Sequence, residues 1–132
     1  MDSQMDDILI LTFIKPNGKG EIKPTFKIPT MALQDELAKL REDRIKKAFK
    51  IDKKYEKIDS KDYMRKADYL REIEGLANET TIKTLQVIID RDKMSKEDLK
   101  LFDAPYTDEF WRQQDLHLIK KAVASFRSLF EG

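Results

Sequence analysis

Cysteine is absent from the 132-residue chain, and histidine and tryptophan occur once each. Without Cys there is no disulfide framework, no thiolate nucleophile and no Cys-based zinc site. With His117 alone, a metal site would need carboxylates around it, and Asp115, two positions away, falls on a different helical face. A nucleophile paired with a histidine base lacks its parts, and neither GxSxG nor SxxK occurs. Gly18-Lys19-Gly20 lacks the GxxxxGK[ST] spacing and the following helix of a phosphate loop, so a turn accounts for it better. No catalytic residue, metal site or cofactor site is assigned. The run Ile8 to Ile14 follows Asp2, Asp6 and Asp7 instead of a basic segment and is far shorter than the ~20 residues of a membrane span. Neither an export signal nor a membrane anchor is expected, and the expected location is the cytoplasm.

What is present is charge and helix-forming periodicity. Charged residues make up 39% and apolar residues 40% of the chain, which implies a modest interior inside charged outer faces. The formal charge of +1 gives no global attraction for nucleic acid or acidic membranes. The expectation is one domain over 1–132, mainly α with a small N-terminal antiparallel β-hairpin (α+β), a helical bundle packed on that hairpin.

The hairpin is expected over 8–28. Ile8 to Ile14 is rich in branched and aromatic residues, Pro16 to Gly20 supplies a turn, and Glu21 to Ile28 follows with Ile22, Phe26 and Ile28 on one face. Pro24 points to an edge or a bulge. The first strand is apolar on both faces, unlike a solvated hairpin, which alternates. Either the chain covers it, or Ile8, Ile10, Leu11 and Phe13 form a self-association surface.

The helical part is expected over 30–130. Thr30 caps a helix with Leu33, Leu37 and Leu40 on one stripe. Ser60 opens a second segment whose inward face is Tyr63, Ala67, Leu70, Ile73 and Leu76 or Ala77. Gly75 and Asn78 suggest a break before a third, over 79–93, although one long helix is compatible with a single Gly. Ser95 caps a short helix ending near Phe102, because Pro105 disfavours helical geometry at Ala104. Thr107 or Asp108 caps the last helix, with Leu116, Ile119, Val123, Phe126 and Phe130 on its stripe.

Two features invite partners. Tyr106, Phe110 and Trp111 beside a Pro turn, with Phe126 and Phe130 near the end, either lock helices together or anchor a partner. Between Lys39 and Lys57 nine bases outnumber four acids, a surface that supports non-specific nucleic-acid contact or is simply a solvated helix face. The interspersed acids and scarce aromatics argue against nucleic acid.

Three pieces of the chain carry a resemblance: the hairpin leading through FKIPTMALQDELAKL into a helix, the charged helices after it, and LQVIIDRDKMSKEDL with its capped S/T-x-E/D-D-L element. Together they resemble the tail assembly chaperones of long-tailed bacteriophages and prophages. The resemblance implies a non-catalytic protein that self-associates and binds the tape-measure protein, keeping it soluble until tail-tube subunits polymerise around it. It also implies contact with the tube protein, action in the host cytoplasm and absence from the mature virion.

Overall fold

The computed structural model describes residues 11–59 and 61–131. It is mainly α with a small antiparallel hairpin, in the order β1 (Phe13–Ile14), β2 (Glu21–Ile22), α1 (Met31–Lys54), α2 (Tyr63–Ile88), α3 (Lys96–Phe102), α4 (Glu109–Arg112) and α5 (Leu116–Ser128). Single 3-10 turns lie at Pro16–Gly18 and Arg91–Lys93. The hairpin pairs Phe13 with Ile22 and Ile14 with Glu21, which sends Phe13 and Ile22 into the core together. Gly18 and Gly20 take positive φ in the turn, 67° and 118°, a region that a side chain would strain.

The strands are shorter than the expected 8–28 hairpin. Ile8 and Ile10 lie outside the described residues, and β2 ends at Ile22, just before the buried ring of Pro24, which has no N–H to donate. Phe26 leaves the hairpin and bridges Ile89 instead: Lys27 N–H donates to Ile88 O at 2.8 Å and Asp90 N–H to Thr25 O at 2.7 Å. Ile28 is 79% exposed, so it does not share a buried face with Ile22.

Each helix begins on a side-chain cap. Thr30, Asp62, Ser95, Asp108 and Asp115 accept from Leu33, Arg65, Asp98, Phe110 and Leu118 N–H at 3.0–3.2 Å, satisfying donors that a helix start leaves open. Three boundaries differ from expectation: α2 starts at Tyr63 on the Asp62 cap, with Ser60 outside the described residues, it ends at Ile88 and not at residue 93, and the last helix is divided. Of the two alternatives for this region the single helix is the one formed, unbroken over residues 63–88; the site of the missing Gly75 Cβ lies 3.4 Å from the Tyr106 hydroxyl, so Gly75 gives Tyr106 room to approach. The expected last helix is two, because the chain breaks at 113–115 and Asp115 caps α5 afresh.

α1 and α2 form an antiparallel pair, and α5 packs on α2. Core packing uses only half of that pair. Leu33 and Leu37 are buried on α1 and nothing beyond them; on α2 burial starts at Leu76 and runs to Ile88. The remaining 14 residues of α1 after Leu40, about 20 Å of helix, and the first half of α2 form an arm. The stripe Tyr63, Ala67, Leu70 and Ile73, spaced for an inward face, continues the line of buried Thr84 and Ile88 at three- and four-residue steps. Tyr63 and Leu70 are nevertheless 77% and 59% exposed, because the short helices α3 to α5 cover only the second half of α2.

Replacing Phe13, which has no exposed surface, by Ala should cost about 3–5 kcal/mol. Leu70→Gln should change stability by less than about 0.5 kcal/mol. Urea denaturation measures both, and a core-sized loss for Leu70→Gln would show that the stripe is covered in solution.

Candidate functional site

The aromatics around Pro105 are interior. Phe13, Phe102, Phe110 and Trp111 form one cluster, with Trp111 edge-on to Phe13 at 5.5 Å and to Phe110 at 5.0 Å and tilted to Phe102 at 5.3 Å. The indole Nε1–H donates to Ala104 O at 2.8 Å, so the tryptophan's one polar group is satisfied inside. Phe110, Trp111 and Phe126 are at most 5% exposed and present no partner surface; they lock the helices together. Tyr106 and Phe130 are half-buried against the same core. Tyr106 and the rim of Trp111 line a cleft of about 380 Å³ with Asn78, Ile82, Arg112 and Ile119.

The residues expected to drive self-association are also committed. Leu11 and Phe13 are buried in the chain's own core, and Ile8 and Ile10 lie outside the described residues. Gln114 covers the free edge of β1. Its Oε1 accepts from Ile14 N–H and its Nε2 donates to Ile14 O, both at 2.8 Å, and Nε2 also reaches Phe110 O at 2.8 Å. A side-chain amide thus stands where another strand's backbone would pair. No sequence signal singled out Gln114.

The uncovered surface lies on the arm, where the exposed large apolar residues are Ile45 and Phe49 on α1 and Tyr63, Met64 and Leu70 on α2. Polar contacts hold its two helices together. Tyr55 O–H donates to Glu72 and packs edge-on against Tyr69 with centroids 5.6 Å apart. Lys54 Nζ lies 3.2 Å from Glu72, Tyr69 O–H donates to Asp52 at 2.6 Å, and Lys47 lies 3.4 Å from Glu79. Such exposed pairs contribute little individually, so the arm is the less firmly held part of the chain. At the other end, an ion pair of 2.9 Å between Lys15 and Asp98 ties the hairpin turn to α3.

Among the described residues no group of three or more His, Cys, Asp or Glu side chains is placed to hold a metal, and no helix is long and apolar enough to cross a membrane. His117 is exposed at the start of α5.

The Tyr55 hydrogen bond holds the Glu72 carboxyl below its ordinary range; desolvation opposes this and Lys54 adds to it. A carboxyl lowered on folding stabilises the fold above the unfolded pKa of about 4.3, and that contribution is lost as pH falls through the folded value. Glu72→Gln should therefore flatten the acid side of the arm's pH dependence, read as amide-exchange protection over residues 47–55 between neutral and acid pH. An unchanged acid limb in the variant would rule Glu72 out as its source. No known protein family, curated protein or solved structure matches this chain.

Proposed function

We propose that the chain is a non-catalytic binding protein that acts as a phage-type tail assembly chaperone, holding the helical tape-measure protein in solution during tail building. The observation that carries this reading is the uncovered apolar stripe of the α1–α2 arm. A face with the spacing of a core-facing helix, left open and rimmed by mixed charges, suits an amphipathic client helix. Many such weak contacts along a long client give avidity without permanent capture. The aromatic cluster at Trp111 serves this role as the rigid base of the arm. The tail tube protein is a second candidate partner, and self-association and action in the host cytoplasm belong to the same reading.

A small nucleic-acid-binding or regulatory module is the second reading, because Lys46, Lys50 and Lys53 stand exposed on α1. Its basic run is weakened where Lys47 and Lys54 engage Glu79 and Glu72. Its signature is affinity for mixed DNA that falls steeply with salt.

Co-expression with an aggregation-prone fragment of a phage tape-measure protein should raise the fragment's soluble fraction several-fold. A Tyr63→Ser/Leu70→Gln variant, with circular dichroism unchanged, should lose that gain. If the fragment stays insoluble with the unaltered protein present, the chaperone reading fails.

A further inference from the structure

The cleft of about 380 Å³ beside Tyr106 lies where the last two helices part. α4 ends at Arg112 and α5 starts afresh at Leu116. Trp111 and Arg112 of the one and Leu116 and Ile119 of the other border a common space, and Asn78 and Ile82, one turn apart on α2, close it from a third side. Its floor is apolar, because Ile82, Trp111 and Ile119 are buried. Its mouth is wetter, with Thr107, Arg112 and Leu116 exposed. An apolar floor under a few polar groups is the make-up of a small-molecule pocket, and the volume falls at the small end of the ~300–1,000 Å³ that such pockets have.

The lining holds a single charged residue, Arg112, and no acid. Among the described residues the Arg112 guanidinium makes no ion pair or hydrogen bond, and neither do the side chains of Asn78 and Thr107. The acids nearest Arg112 along α4 lie outside the lining and are engaged elsewhere: the Asp108 carboxylate accepts from Phe110 N–H at 3.0 Å, and Glu109 accepts from Gln113 Nε2 at 3.1 Å. Gln114 also borders the cleft, but its amide is taken by Ile14 and Phe110. A guanidinium, an amide and a hydroxyl without partners thus stand above an apolar floor. A carboxylate matches the planar fork of the guanidinium and forms the stronger, charge-assisted bond. An amine would meet like charge there, and an alcohol would gain the floor alone.

We infer that this cleft binds a compact apolar carboxylate: the apolar body lies on Ile82, Leu116, Ile119 and the rim of Trp111, and the carboxylate is taken by Arg112, with Asn78 and Thr107 as further hydrogen-bond partners. A free small acid and the C-terminal residue of a peptide both supply that chemistry. The site belongs to the packed body and owes nothing to the open face of the arm, so it stands or falls independently of the chaperone reading.

Trp111 is the chain's only tryptophan, so its emission reports from the cleft itself. Titrating the full chain with hydrocinnamate should change that emission with a Kd below about 1 mM. Hydrocinnamyl alcohol should bind about tenfold or more weakly, and the corresponding amine more weakly still. Arg112→Gln should reduce the acid to the alcohol's affinity and leave the alcohol's unchanged. Arg112→Lys should keep part of the preference, and Leu116→Ser should weaken both ligands. Both positions are exposed, and thermal melting of each variant without ligand checks that the fold is intact. Saturating hydrocinnamate should also raise the melting temperature of the unaltered chain, and that of Arg112→Gln by much less. Acetyl-Gly-Gly-Phe binding more tightly than hydrocinnamate supports the site with a peptide terminus as the source of the carboxylate; the reverse order supports a free acid. No change in emission or melting, equal binding of acid and alcohol, or an acid preference that survives Arg112→Gln overturns the inference. So does loss of the response in Phe49→Ser/Leu70→Gln, whose changes lie on the arm.

Discussion

The packing of Phe13 against Phe102, Phe110 and Trp111 is the constraint on which the rest of the structure depends. Strands of two residues each cannot hold a hairpin on their own. The aromatic box supplies what backbone pairing lacks: each large ring buries ~150–250 Å², which at about 25 cal/mol per Å² is roughly 4–6 kcal/mol per ring as an upper bound. It also joins residues about a hundred positions apart, β1 to α3 and α4. Once Trp111 is fixed by its bond to Ala104 O, the break after α4 places Gln114 beside Ile14, and the Gln114 amide completes the edge of β1. The same interaction that closes the core therefore closes the strand.

A second constraint follows from the length of α2. Three short helices, of 7, 4 and 13 residues, must cover a helix of 26, and they cover its second half. The first half stays beside α1 through tyrosine, carboxylate and lysine contacts that are mostly solvent-exposed. The chain is thus built of a firmly packed body and an arm with an open face. In the arm, apolar side chains add little to folding stability, which makes their surface available for binding.

Local chemistry was legible in the sequence, and reach was not. Thr30 and Ser95 start their helices as their capping spacing predicts, and Pro105 ends α3 with the chain turning at Ala104. These depend on neighbours within a turn or two. The stripe at Tyr63 and Leu70 has the same periodicity as the stripe at Leu85 and Ile88, and periodicity carries no information about how far a partner helix extends. The aromatic cluster posed the same ambiguity in reverse, since buried rings and displayed rings look alike in sequence; the packing of Trp111 on Phe13 is a long-range fact about the fold. Gln114 gave no signal because its role is set by β1, a hundred residues away.

Arg127 ends the packed body. It follows Phe126, which is buried and packs against Phe26 at 6.2 Å and edge-on against Phe130 at 5.8 Å. Burial, and after it the charges of Arg41 and Arg44, lower the pKa of its guanidinium. The arm's two helices, by contrast, are held together by exposed polar pairs that contribute little individually, so the difference between the two parts is one of how much apolar surface each buries.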